Sequence, residues 1–384
     1  MTSSYHLEDR GKNVPKLRFK GYNDEWKRVK TEEIFENISI KNNPLLPVLA
    51  VTQDKGVILR ESCGINIKYE NKSLKSYKIV KPGNFIISLR SFQGGLEYSE
   101  LEGIVSPAYT ILNNKQNISY DFFKYYFKTY NFIKSLNIAV EGIRDGKQIS
   151  YNSFKDIKIA FPSLPEQEKI ASFLTLIDKK IEKQKELVEL LKKYKRGLLS
   201  SIFSQNLRFK DNDGNDYPTW EEKRLEEILK IKHGKSQKEI ECTNGKYPIL
   251  ATGGEIGRTN SCLWNKPCVL IGRKGTIDKP QYMETPFWTV DTLFYSEVFK
   301  DNNAKYLYYL FNTINWKKYD ESTGVPSLSA KTIERIKVTL SISNTEQTII
   351  SKILSKFDNK IQQEECILSN LQTYKKGLLQ QMFI

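Results

Sequence analysis

The sequence predicts an α+β protein made of two duplicated globular α/β domains and two long coiled-coil helices. Three observations predict it. The chain matches itself without a gap: when Glu166 is set against Glu346, identity recurs from Gln167 and Gln347 through Ile170 and Ile350, Leu174 and Leu354, Asp178 and Asp358, to Phe203 and Phe383. A repeat this long exceeds a solenoid unit and reads as duplication of a whole domain with its connecting helix. Inside the repeated segments, apolar residues step by four and three over several heptads. Between them lie short β-branched and aromatic runs separated by turns, the pattern of strands.

The opening of each half uses the same residues. "LRFK" stands at Leu17 to Lys20 and at Leu207 to Lys210, followed by Trp26 or Trp220 and then by Glu33-Ile34 or Glu227-Ile228. The globular parts also close alike, "ISYNSFKDIKIAF" from Ile149 against "LSAKTIERIKVTL" from Leu328. The expected division is an N-terminal segment 1–20, a globular domain 21–161, a helical spacer 162–204, a second globular domain 205–340 and a second spacer 341–384.

In both globular copies an apolar strand rises into a basic loop that contains glycine. Leu89 to Gly95 carries Arg90, Ser91 and Gln93, and Gly272 to Ile277 carries Arg273, Lys274 and Thr276. A second loop pair sets Thr52, Gln53 and Lys55 against Thr252 and Arg258. A third sets "EGIRDGKQ", with Arg144 and Lys147, against "ESTGVPS". Arginine can bond bidentately to guanine and glutamine to adenine in the major groove, so these side chains suit base reading. On a surface so rich in lysine and arginine, an ordinary solvated loop remains the alternative. The aromatic stretches "YDFFKYYFKTYNFIKSL" and "AKYLYYLFNTINWKKY" read as core helices, with base stacking as the other option.

The helical seam in the first spacer is Ile170, Leu174, Ile177, Ile181, Gln184, Val188, Leu191, Lys195, Leu198 and Ile202. The second repeats it with Ile350, Leu354, Phe357, Ile361, Glu364, Leu368, Leu371, Lys375, Leu378 and Met382. Polar interruptions at matched places cost stability but fix register, so the helices are expected to pack on each other or on a common kind of partner. A helix of roughly 36 residues would be about 54 Å long. Gly197 and Gly377 fall in the last turns, where glycine costs up to about 1 kcal/mol. They mark either a local loosening or the close approach of another backbone.

Composition narrows the function. The 384 residues carry a formal charge of +15, positive in every segment, which suits a folded surface facing a polyanion better than a basic tail. No apolar run approaches the ~20 residues of a membrane span, and the polar start "MTSSYHLEDRGKN" lacks the centre of a signal peptide. A cytoplasmic protein is expected. Five cysteines without a C-x-x-C pair indicate neither a disulfide framework nor a zinc site.

Catalytic signatures are missing as well. "HGKS" at His233 to Ser236 has only the tail of a P-loop, with Leu229 where the first glycine belongs. No Pro-Pro-aromatic turn for holding a target base occurs, and His6 and His233 are the only histidines. The triplets Asp156-Ile157-Lys158 and Glu221-Glu222-Lys223 would suit a nuclease but are common by chance in so charged a chain. The expectation is a binding protein rather than an enzyme, with no metal.

"VPKLRF" with Trp26, "PSLPEQEKIASFLTLIDKKIEKQ" with "LLKKYKRGLLSSIF", and "TEQTIISKILSKFDNKI" with "LQTYKKGLLQQMF" together resemble the specificity (S) subunits of type I restriction-modification systems over the full length. "SISNTEQ" departs from the pattern by lacking the prolines of "PSLPEQ". The resemblance implies two target recognition domains, each reading half of a split double-stranded DNA sequence. It also implies that two antiparallel helices hold these domains apart in pseudo-twofold symmetry and bind two methyltransferase (M) subunits. Restriction (R) subunits would join the complex. S-adenosylmethionine, ATP and magnesium would be bound by those partners and no cofactor by this chain. A rod of about 54 Å corresponds to roughly 16 base pairs at ~3.4 Å per pair. The rival reading is a coiled-coil scaffold that joins proteins without reading DNA.

Overall fold

The computed structural model describes residues 13–53, 55–63, 71–140 and 149–384. They form two compact units, one of residues 1–184 with 367–384 and one of residues 185–366. Each long helix is divided between the two units.

Unit 1 is built on a four-stranded antiparallel sheet in the order Phe35–Ile38, Thr110–Asn114, Phe85–Ile87, Glu97–Tyr98. A ribbon pairs Lys27–Lys30 with Lys158–Phe161, and a hairpin joins Leu49–Thr52 to Gly56–Leu59. Unit 2 repeats the sheet with Leu229–Lys232, Leu293–Val298, Cys268–Gly272 and Gln281–Met283. Its ribbon pairs Glu221–Arg224 with Lys337–Leu340. Its hairpin, Tyr247–Ala251 with Gly254–Thr259, gains a parallel neighbour at Trp288–Thr289. The duplication in the sequence is thus a duplication of topology.

The aromatic helices are core. In unit 1 the stretch is divided into Tyr120–Tyr126 and Tyr130–Val140. Phe122, Phe123 and Phe127 are fully buried against Trp26, Phe35 and Phe85. In unit 2, Tyr306, Tyr309 and Phe311 of Ala304–Phe311 do the same beside Trp220, Phe294 and Trp316. Stacking on bases is not open to rings enclosed in this way.

The repeated Glu-Gln pair has a physical role at the start of each long helix. The Glu166 carboxylate takes two N–H donors of Arg18 at 2.7 Å, and Glu346 takes Arg208 at 3.1 and 3.4 Å, which explains the arginine in both "LRFK" words. The neighbouring glutamines accept the backbone N–H of Ser119 and Asn303, the residues that cap the aromatic helices. One dipeptide therefore ties the helix to the opening segment of its globular copy and to the aromatic helix within it.

The long helices run Leu164–Phe203 and Asn344–Gln381, 40 and 38 residues, slightly longer than the seam suggested. Every predicted seam position is buried or half-buried. Within unit 2, Lys192 pairs with Glu365 at 2.9 Å and Lys195 with Asp358, so one helix ascends as the other descends.

The seam packs against the other helix and into the globular copies at once: Ile170 and Leu174 share the core of unit 1 with Leu378 and Met382, and Ile350 and Leu354 share that of unit 2 with Ile202. Lys195 and Lys375, the polar interruptions, turn to Asp358 and Asp178 and lie over the rings of Tyr309 and Tyr125 at 5.4 and 5.3 Å. A Cβ on Gly197 or Gly377 would meet nothing within 4 Å, so no described backbone of the chain approaches either. No disulfide joins the five cysteines, and burial pushes the Cys268 thiol up to about 12.

Candidate nucleic-acid interface

The first candidate loop of each copy leaves its sheet from a strand covered on both faces. Phe85 and Ile87 face the main core of unit 1, and Ile86 faces a smaller one with Leu49 and Val80. Val269 and Ile271, against Cys268 and Leu270, repeat the arrangement in unit 2. Successive strand side chains point to opposite faces, so an unbroken apolar run is buried twice over. The loops after Ile87 and Gly272 start from fixed points.

In unit 2 three segments distant in sequence meet. Leu328 N–H donates to the Arg273 carbonyl and Gly275 N–H to the Pro326 carbonyl, both at 2.9 Å, tying "ESTGVPS" to the turn after Gly272. Gly275 has φ +89°, open to glycine at no steric cost, and a Cβ on Gly272 would lie 2.1 Å from the Thr276 carbonyl oxygen. Thr252, from the hairpin turn, packs over both glycines. Asp320 holds the third segment, accepting the N–H groups of Ser327 at 2.9 Å and Ser322 at 3.0 Å. The Ser327 bond, then that of Ser322, holds its carboxyl below the ordinary value.

Beside this junction lies a cleft of about 430 Å³ lined by His233, Arg273, Lys274, Phe294, Ser327 and Lys331. Arg273 is half-buried, with Nη1 donating to the Asp291 carboxylate. Lys274, His233 and Lys331 are exposed.

Unit 1 joins its first two loops by a side chain. The Gln53 Nε2 donates to the Arg90 carbonyl at 2.5 Å, and the amide covers Gly94. A cavity of about 580 Å³ beside them is lined by Thr52, Gln53, Ser88, Arg90 and Tyr109. Arg144 and Lys147 lie outside the described residues.

The predicted readers differ in what they leave open. Arg90, Gln93, Lys55 and Lys274 are exposed, and Thr276 is half-buried. Ser91 is corrected: it is fully buried, its Oγ accepts Ser88 N–H at 2.9 Å, and it shapes the loop from within. Gln53 gives one of its two amide N–H donors to the Arg90 carbonyl and remains exposed. Thr52 closes its own hairpin, donating to Gly56 O and accepting Lys55 N–H. Arg258 gives Nε to Gly245 O at 2.8 Å, Nη2 to Lys246 O at 3.0 Å and Nη1 to Glu255 at 2.9 Å, so its fork is occupied.

Sequence reasoning missed Asp291 and Lys331 and gave His233 no binding role. No local pattern marks them, because they reach the cleft from separate elements.

The carboxylate-x-Lys triplets are used on the ribbons: Asp156 pairs with Lys30 at 2.6 Å, and Glu222 with Lys337 at 2.7 Å. Among the described residues, no group of three or more His, Cys, Asp or Glu side chains is placed to hold a metal ion.

The model of the type I restriction modification DNA specificity domain matches twice, over residues 23–192 and 217–373. The specificity subunit of the type I restriction enzyme MjaIX of Methanocaldococcus jannaschii is 28% identical over 188 residues, 46% of this chain and 43% of that protein. The match thus spans less than half the length of that relative. A putative type I specificity subunit of Mycoplasma genitalium is 26% identical over 271 residues, 66% of this chain and 70% of its own length. Among solved structures, the S subunit of a type I system from M. genitalium matches with a TM-score of 0.61 at 20% identity, over 97% of this chain and 99% of that one. The HsdS subunit from Thermoanaerobacter tengcongensis matches with a TM-score of 0.50 at 14% identity, over 93% and 96%. At these identities the likeness to the solved structures is one of fold.

Proposed function

This chain belongs to the type I restriction-modification DNA specificity family, and we propose from that premise that it reads a bipartite double-stranded DNA target, one half with each unit. The observation that carries the reading is the convergence in unit 2 of three loops around Arg273 and Lys274, held by backbone bonds and bordered by Lys331, with Glu321 in the same lining. Lysines and arginines neutralise phosphates and set position, while a few loop side chains reach base edges. Arg90 and Gln93 fill the second role in unit 1, and Arg273 in unit 2.

The chemistry belongs to partners. The long helices take two methyltransferase (M) subunits that modify adenine with S-adenosylmethionine, and restriction (R) subunits use ATP and magnesium to cleave. This chain is their non-catalytic guide. Ion pairs on Asp156 and Glu222 support that assignment, since they give these carboxylates a structural use. A cytoplasmic location follows from the same reading. No described helix is long and apolar enough to cross a membrane.

The test is methylation-detecting sequencing of DNA from cells expressing the chain with its cognate M subunit, against cells lacking the chain. A split motif with one modified adenine in each half, seen only when the chain is present, is the expected result. No new modification, with the same M subunit active beside another S subunit, would favour the scaffold reading.

A further inference from the structure

We propose that Asp291 is a positioning residue for base readout, holding the Arg273 guanidinium so that its Nε and Nη2 edge takes O6 and N7 of a guanine in the second half-site. The inference rests on the DNA-reading function proposed above and deepens it.

Of the four candidate arginines, Arg144 lies outside the described residues, and their surroundings separate the other three. Arg258 has all three nitrogens engaged within its own hairpin. The Arg90 side chain is exposed and its guanidinium makes no hydrogen bond among the described residues. Arg273 lies between these extremes. Its Nη1 donates to the Asp291 carboxylate and, at 3.4 Å, to the Asp291 carbonyl, while Nε and Nη2 have no hydrogen-bond partner among the described residues.

The backbone beneath Arg273 is fixed as well. Its N–H donates to Thr292 O at 2.8 Å and its carbonyl accepts from Leu328 N–H at 2.9 Å. Asp291 precedes Thr292, so one short segment holds both the main chain and the guanidinium of Arg273. A planar fork anchored on one edge keeps its other edge in a set direction and loses less freedom on docking than an unanchored one. Two parallel donors match the O6 and N7 acceptors of guanine.

The adjacent charges assign the remaining contacts. A carboxylate beside Arg273 disfavours a phosphate there. Lys274 and Lys331, which line the same cleft with no ion pair among the described residues, are placed to take the backbone on either side. Arg273 reads and the lysines hold.

The experiment uses the full chain assembled with its M subunit and a duplex library randomised across the second half-site, with binding measured at several salt concentrations. Wild type is expected to prefer guanine at one position. Asp291→Asn should cut that preference about tenfold or more while binding to unrelated DNA stays the same or tightens, because a negative charge has left. Arg273→Lys should lose the same preference and keep the salt dependence. Equal weakening on every sequence in Asp291→Asn would overturn the proposal, as would an intact guanine preference. A wild-type complex without any sequence preference would remove the DNA-reading function itself, and this inference with it.

Discussion

The carboxylate of Glu346, fully buried, accepts the indole N–H of Trp220 at 2.9 Å. Arg208 and the Ser341 hydroxyl, the latter at 2.5 Å, donate to the same group. In the first copy Arg18 takes Glu166 with two short bonds, Pro162 stands at the place of Ser341, its carbonyl accepting Gln167 Nε2 as that of Ser341 accepts Gln347 Nε2, and offers no hydroxyl, and the buried Trp26 Nε1 has no partner among the described residues. The two hinges share a motif and divide its hydrogen bonds differently. Trp220→Phe should therefore cost about 1.5–3 kcal/mol more than Trp26→Phe, since only the former removes a bond to a charged group. Denaturant unfolding of the two full-length variants, followed by their midpoints, checks the difference.

Lys195 and Asp358 supply a second test. Asp358 also accepts the Tyr309 hydroxyl at 2.6 Å, and Tyr125, Asp178 and Lys375 form the equivalent set in unit 1. The Lys195 and Asp358 side chains retain 21% and 37% exposure, so screening keeps the pair modest. A double-mutant cycle of Lys195→Ala with Asp358→Ala should give a coupling of about 0.5–1 kcal/mol. Zero coupling would make the contact incidental to register.

Arg258 was a candidate reader and is now expected to act on stability. Arg258→Ala leaves two carbonyls without their donor and should lower stability by about 1–2 kcal/mol. The preferred DNA sequence should stay as in wild type. A changed base preference in the library assay would return Arg258 to the readers.

Asp320 gives a pH dependence whose sign is fixed by its partners. Backbone N–H bonds from Ser327 and Ser322 lower its folded pKa, so its contribution is complete above the unfolded value near 3.9 and disappears as pH falls through the lowered one. Amide exchange at Ser322 and Ser327 should rise in wild type only below about pH 4, relative to the intrinsic rate. Asp320→Asn should remove that transition.

The fold was legible where a contact reflects local periodicity or repetition. Duplicated words gave the two copies, and the four-three step gave both helices. Periodicity specifies which face is apolar and not everything that covers it, so the seam did not reveal that Ile170 and Ile350 also complete globular cores. The loop cluster was half legible. Glycine and basic residues pointed to Arg273 and Lys274, but the bond from Leu328 to Arg273 and the approach of Asp291 join segments that nothing in a linear pattern connects. Ser91 was misjudged for a related reason: a turn after a buried strand can itself turn inward.

The division of each long helix between the units also orders events during synthesis. Trp26 and Phe122 emerge early from the ribosome, yet their core is closed by Leu378, Met382 and Phe383. Unit 2, made of residues 185–366, has all its parts sooner. The copy translated first thus closes its core only after the residues of unit 2 have been made, and the patch that Leu378, Met382 and Phe383 cover stays open throughout that interval, in which a chaperone would find it.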